Sequence, residues 1–299
     1  MPDAGASILA KLKKKANEAG ISYQQCLQLF VQEEFLRKLS KSKYVENLIL
    51  KGGMFIYTLS NFESRATIDI DFLLRHQTNA LTDVRHMIEE IIVVPTGNDY
   101  INMVAKGFEE ISPQRKYKGI SAQIIGSIKN VRVPLNIDIG VDDIIVPIAE
   151  IRKINTQLPD FEAPEISTYS LESTISEKLD AILQRYELTG RMKDFYDIYY
   201  LARTYDFEGM ILKNAIFETL RRRATPYEED SVKRIIQLAD DVDMQRRWKY
   251  FLKSIKNESL DFATVINEIA LFLEPVYEAV YEKTEFQKLW ECKKRTWMQ

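Results

Sequence analysis

The chain has 299 residues, 45% of them hydrophobic and 28% charged, with a formal net charge of −3 at neutral pH. That balance fits a folded chain of one large or two medium domains, and it excludes a strongly basic protein whose bulk charge would advertise a nucleic-acid partner. No run reaches the ~18 apolar residues of a membrane span, the N-terminus carries no secretory pattern, and Cys26 and Cys292, far apart in sequence, suit a reducing cytoplasm.

In chain order, the first stretch reads as helix. Leu9, Leu12 and Ala16 share a face, and QQCLQLFVQEEFLRKL keeps its apolar residues at helical spacing. Gly52-Gly53 opens a further predicted helix through Leu59. A strand is predicted near 66–74, within SRATIDIDFLL, where Ile68, Ile70 and Phe72 alternate with Thr67, Asp69 and Asp71. Residues 80–93 read as helix, with Leu81, Val84, Ile88, Ile91 and Ile92 on one stripe. ISAQIIGSIK and VPLNIDIGV are two more strand candidates. The stretch from Pro147 to Pro164 reads as a join, and beyond about 166 nearly everything is helical in pattern. The expected architecture is α+β, with a mixed-sheet domain over 1–160, including the helical start, and an all-helical domain over 161–299.

Asp69 and Asp71 lie two apart on a strand, so their carboxylates share one side about 7 Å apart. Two like charges on one face cost energy unless water or a cation meets them. Glycines at a helix start let the free N–H groups of the first turn approach an anion. A carboxylate pair suits a hard cation such as Mg²⁺. Together these features describe a phosphate cradle beside a metal site, the pairing that phosphoryl or nucleotidyl transfer needs. Asp138, in VPLNIDIG, is the candidate third carboxylate: if its strand pairs beside the first, it shares the face and could take a proton from an attacking hydroxyl in a two-metal scheme. The bland alternative is a solvated strand face. In SEKLDAILQRYELTGRMKDFYDIYYL, Arg191, Asp194 and Asp197 are spaced by three. Spacing alone favours a salt-bridged solvent face; the alternative is that Lys178 and Arg191 reach a triphosphate.

KGG, then RATIDID, then SEKLDAI, then RMKDFYDI, in this order over roughly 45–205, resembles the AbiEii nucleotidyltransferase-like toxins of bacterial abortive-infection and toxin–antitoxin systems. These share the DNA polymerase beta catalytic fold. The resemblance implies a nucleotidyltransferase-fold N-terminal domain, with Asp69, Asp71 and Asp138 as metal ligands and a two-metal Mg²⁺ site. It implies Asp69, Asp71, Asp138, Lys178 and Asp194 as catalytic residues, Asp197 being the second acid of its motif. It implies Gly52, Gly53, Arg65, Thr67, Lys178 and Arg191 as the nucleotide-binding set. Gly53 stands where the superfamily has serine, so a hydroxyl contact is missing, and Thr67 or Ser60 could replace it. The implied function is a cytoplasmic phage-defence toxin that transfers a nucleotide from a nucleoside triphosphate to an acceptor, with RNA, at the tRNA 3′ end, expected. A cognate antitoxin from the same operon is implied, without a stable complex. A phosphate on Thr67 would add negative charge to such a site and offers one form of restraint.

For an RNA acceptor, SPQRKYKG (112–119), RRR (221–223), QRRWKY (245–250) and KKRTW (293–297) mix cations with aromatics, as solvated helix faces also do. His76 and His86 fit no zinc pattern, and no Walker A, dinucleotide-binding or G-x-S-x-G sequence is present. Two other functions share these features: a small-molecule (antibiotic) nucleotidyltransferase, and a non-catalytic nucleotide-binding inhibitor.

Overall fold

The computed structural model describes residues 3–60, 64, 65, 67–111, 118–257 and 259–299, with the Glu187 side chain left aside. The chain divides into two compact units: 1–142 with 150–168, and 143–149 with 169–299.

The first unit begins with α1 (Ala4–Glu18) and α2 (Tyr23–Ser40), capped by Asp3 and Ser22, whose side chains accept from the Ala6 and Gln25 amides. Then follow β1 (Leu48–Lys51), α3 (Gly52–Leu59), β2 (Asp69–Leu74), α4 (Leu81–Ile92), β3 (Ile101–Ile111), β4 (Gly119–Ile128), β5 (Val131–Gly140), β6 (Glu150–Lys153) and β7 (Glu165–Thr168). The strands form one mixed seven-stranded sheet in the order β3-β4-β5-β2-β1-β7-β6. β2 is central, parallel to β5 and antiparallel to β1. Period-2 alternation explains the core: Ile70 and Phe72 of β2, and Val133, Leu135, Ile137 and Ile139 of β5, are buried.

The expected inward alternation of β2 starts late. Ile68 precedes the strand and is 68% exposed, so it is not core. The stretch read as a join contributes β6, and the sheet continues to Thr168, because β7 pairs with β1 through Leu50 opposite Thr168. These strands are four residues each, too short to announce themselves by periodicity.

Helix α2 is buried on every side, although it carries Gln28, Gln32, Glu33, Glu34, Arg37 and Lys38. Each polar group needs a partner there. Glu34 accepts from Arg37 Nε at 2.9 Å and from Asn98 at 2.7 Å, and Lys38 donates to the Val94 carbonyl at 2.8 Å. Glu33 accepts from the Gln157 amide at 2.8 Å, and its burial pushes its carboxyl up to about 8 despite Arg37. Gln32 donates to the Ile68 carbonyl at 2.7 Å, fixing the backbone that leads into β2.

The second unit contains α5 (Leu171–Leu183), α6 (Met192–Thr204), α7 (Gly209–Arg223), α8 (Ser231–Gln237), α9 (Val242–Ser254) and α10 (Phe262–Tyr281). It adds three short strands, β8 (Phe207–Glu208), β9 (Leu289–Glu291) and β10 (Thr296–Met298), paired as a small antiparallel sheet. Its core includes Leu179, Ile182, Phe195, Ile198, Trp248, Phe262, Phe272 and Trp290. Within it, Arg223 is clamped by Asp143 at 2.8 Å, Glu177 at 2.9 Å and Asp180 at 2.9 Å. No helix among the described residues is long and apolar enough to cross a membrane.

Candidate active site

The β2–β5 pairing sets Asp71 opposite Asp138 and Asp69 opposite Asn136. The β4–β5 pairing sets Ser121 opposite Asp138, and the β1–β2 pairing sets Lys51 opposite Asp71. Directly paired residues project to the same face. Ser121, Asp138, Asp71 and Lys51 therefore form one transverse row across β4, β5, β2 and β1, with Asp69 two residues along the same face. All three aspartates are half-buried. Ser121 donates to Asp138 Oδ1 at 2.7 Å, and Asn136 donates to Asp69 Oδ1 at 3.4 Å. Asp71 and Asp138 are like charges on adjacent strands, a pairing that is destabilising by itself.

Helix α3 starts immediately beside this row. Gly52 sits at φ +68°, and a Cβ built on it would lie 2.1 Å from Asp71 Oδ2. Only glycine meets both demands. A Cβ on Gly53 would lie 3.0 Å from Thr67 Oγ1 and 3.4 Å from an Arg65 guanidinium nitrogen. The Thr67 side chain thus fills the space that a side chain at 53 would take. Ser60 is engaged elsewhere, donating to the Tyr57 carbonyl at 2.8 Å. Lys51, the N-cap residue of α3, makes no side-chain capping bond, so no side chain of its own cap covers the first-turn amides.

Among the described residues, no three carboxylate, histidine or cysteine side chains converge into a closed metal cage. Mg²⁺ does not require one, because it keeps waters and takes one or two carboxylates together with substrate phosphate oxygens. The donors here are all oxygen and half-buried, beside a glycine whose Cβ would fill the space next to Asp71. The residues fit a hard divalent cation.

In the second unit, Lys178 of α5 points its ammonium between two acids of α6. Its Nζ lies 2.6 Å from Asp197 Oδ2 and 3.2 Å from Asp194 Oδ1. Arg191 Nε lies 2.6 Å from the other Asp194 oxygen. Asp194 and Asp197 are fully buried. This corrects the reading by spacing: the acids do not form a solvent face, because the lysine from the preceding helix supplies the charge that lets them enter the core. Burial pushes the Asp194 carboxyl upward, but Lys178 and then Arg191 outweigh it and hold it below its ordinary value. Arg191 itself keeps 47% of its side chain exposed.

The cation-and-aromatic runs differ from their sequence appearance. Residues 112–117 of SPQRKYKG lie outside the described residues. In RRR, Arg223 is spent on its three acids, and Arg221 pairs with Glu218 at 2.5 Å. In KKRTW, Arg295 pairs with Glu268 at 2.6 Å, and Trp297 stacks on Phe272 at 5.8 Å between ring centres. In QRRWKY, Trp248 is 1% exposed. Both tryptophans pack against other aromatic rings. Sequence reasoning missed Lys51, Ser121 and Asn136 as members of the acidic face. Lys51 was visible only as the first letter of KGG, and its place opposite Asp71 is a matter of strand register.

The family model described as "Nucleotidyl transferase AbiEii toxin, Type IV TA system" matches residues 34–281. No curated protein matches the chain. Among solved structures, the chain is similar to MenT4, a nucleotidyltransferase toxin from Mycobacterium tuberculosis, at TM-score 0.55 and 16% identity, over 84% of this chain and 97% of that one. It is also similar to JHP933 from Helicobacter pylori, at TM-score 0.46 and 14% identity, over 88% of this chain and 94% of that one. At 16% identity the likeness to MenT4 establishes the fold; the family match, across most of the chain, establishes more. The chain belongs to the AbiEii nucleotidyltransferase toxins of type IV toxin–antitoxin systems.

Proposed function

We propose that this nucleotidyltransferase is Mg²⁺-dependent and transfers a nucleoside monophosphate from a nucleoside triphosphate to RNA, at the 3′ end of tRNA. The observation that carries the catalytic half is the row Ser121–Asp138–Asp71–Lys51 beside Gly52. The acceptor rests on the family alone. Asp69, Asp71 and Asp138 would hold Mg²⁺ in a two-metal arrangement; when bound, the metal neutralises charge on the α-phosphate and the departing pyrophosphate.

The chain's own residues do the rest. The amides at Gly52 and Gly53 bind phosphate oxygens at the start of α3, with the Thr67 hydroxyl and Arg65 beside Gly53. Asp138, steadied by Ser121, accepts the proton of the acceptor hydroxyl. That oxygen forms a bond to the α-phosphorus as the bond to pyrophosphate breaks. Within the second unit, Lys178 and Asp194 fix Arg191 in place, and its role as a nucleotide-binding cation rests on the family alone. The protein acts in the cytoplasm. Its antitoxin, implied by the family, is encoded in the same operon and neutralises it without a lasting complex.

Incubating the protein with total bacterial RNA, Mg²⁺ and each α-labelled nucleoside triphosphate tests this. Label should enter a tRNA-sized band with the wild type and not with Asp69→Ala. Label retained by Asp69→Ala refutes the metal role, and no label from the wild type with any nucleotide refutes the RNA acceptor.

A further inference from the structure

The acidic chain has a basic stretch around α9 that the catalytic reading does not use. Between Val242 and Lys256 there are five cations and one aspartate, in a protein of net charge −3. Most of α9 accounts for itself. Arg246 pairs with Asp243 at 2.8 Å, Arg247 donates to the Thr189 carbonyl at 2.9 Å, and Trp248 is sealed in the core with its Nε1 donating to the Leu260 carbonyl at 2.8 Å. Lys249 and Lys253 are different. They are exposed, one helical turn apart on one face, and have no ion pair among the described residues.

These two lysines line an open groove of about 580 Å³ between α9 and the start of α10, within the second unit. Gln245 and Tyr250 also line it, with Trp248 as part of its floor. Tyr250 is 70% exposed beside them. The described carboxylate in the lining, Asp261, is turned to capping, accepting from the Thr264 amide at 3.1 Å. The groove therefore offers two positive charges in line and one free aromatic face.

We propose that this groove binds a single-stranded segment of the acceptor RNA, with Lys249 and Lys253 on backbone phosphates and Tyr250 stacked on a base. Paired cations with an aromatic platform are the elements of sequence-tolerant single-strand binding. An acidic protein partner would use the lysines but leave the tyrosine unexplained. The proposal rests on the reading that RNA is the acceptor, and it assigns where RNA is held rather than where it reacts.

The test uses the full chain, with a fluorescent single-stranded 20-mer RNA titrated at several salt concentrations, beside the labelling assay above. Lys249→Ala/Lys253→Ala should weaken binding at least tenfold and make the salt dependence shallower by about 1.4 in log–log slope, at about 0.7 for each phosphate no longer neutralised. Tyr250→Ala should weaken binding about tenfold without changing that slope. Both variants are surface truncations and should keep the wild-type melting temperature and nucleotide affinity. If the double variant binds the oligonucleotide as tightly as the wild type, or labels RNA with an unchanged KM, the groove assignment fails while the RNA acceptor stands. If the wild type neither binds the oligonucleotide nor labels RNA, both fail together. If the double variant keeps RNA binding but escapes the antitoxin, the groove belongs to a protein partner and the proposal is overturned.

Discussion

Two groups of aspartates in this chain carry the same charge in opposite surroundings. Asp194 and Asp197 are sealed in a helical core with the Lys178 ammonium between them, so their compensating cation is built in. Asp69, Asp71 and Asp138 lie half-buried on one sheet face, with Lys51 the in-register lysine opposite Asp71. The first group is closed in charge and geometry by residues of its own unit. The second is open beside a helix start and is the face proposed to hold Mg²⁺. The difference teaches that like aspartate groups are told apart by burial: one is sealed in a core around a lysine, the other lies half-exposed on a sheet face.

Removing the built-in cation gives the largest expected effect. Lys178→Ala removes the ammonium shared by two buried carboxylates, leaving Asp194 to Arg191, and should cost roughly 3–5 kcal/mol of stability by chemical denaturation. A cost of a few tenths would mean that the acids find water or another partner. The effect of Gly52→Ala should be smaller on stability and complete on activity. A side chain at φ +68° whose Cβ meets Asp71 at 2.1 Å should cost about 1–3 kcal/mol. It should also abolish transfer, because Asp71 must move. Normal turnover by this variant would show that the close approach is dispensable.

Acid titration separates the groups more gently. The Asp194 carboxyl is held below its ordinary value in the fold. Its stabilisation is therefore fully present above the unfolded value of about 3.9 and is lost as pH falls through the lowered folded value. The stability gap between wild type and Asp194→Asn should be constant above pH ~5 and close only in that acid range. A gap that closes near neutrality would contradict the assigned Lys178 and Arg191 pairing.

The sequence carried the local parts of this account. Asp69 and Asp71 fall on one face by period alone, and Gly52-Gly53 marks a helix start whatever lies elsewhere. Features that depend on distant pairing were not legible. Lys51 faces Asp71 only because β1 pairs antiparallel with β2 in one register, and a one-residue slip would turn it away. Asp194 and Asp197 looked like surface charges because their partner comes from another helix. Trp248 and Trp297 looked like base-stacking residues because their neighbours are cationic, yet both pack against aromatics of the core. Ile68 looked like core by alternation and lies outside the strand.

The most direct test of the acidic face is to titrate Mn²⁺, as a spectroscopic stand-in for Mg²⁺, into the full chain with a non-hydrolysable nucleoside triphosphate analogue. Electron paramagnetic resonance then reads the free ion in the wild type and in Asp71→Asn. The account predicts that the wild type takes up the ion in the presence of nucleotide and that Asp71→Asn loses at least tenfold in affinity while keeping its melting temperature. Equal uptake by the two proteins would contradict the assignment of the Asp69–Asp71–Asp138 face as the metal site.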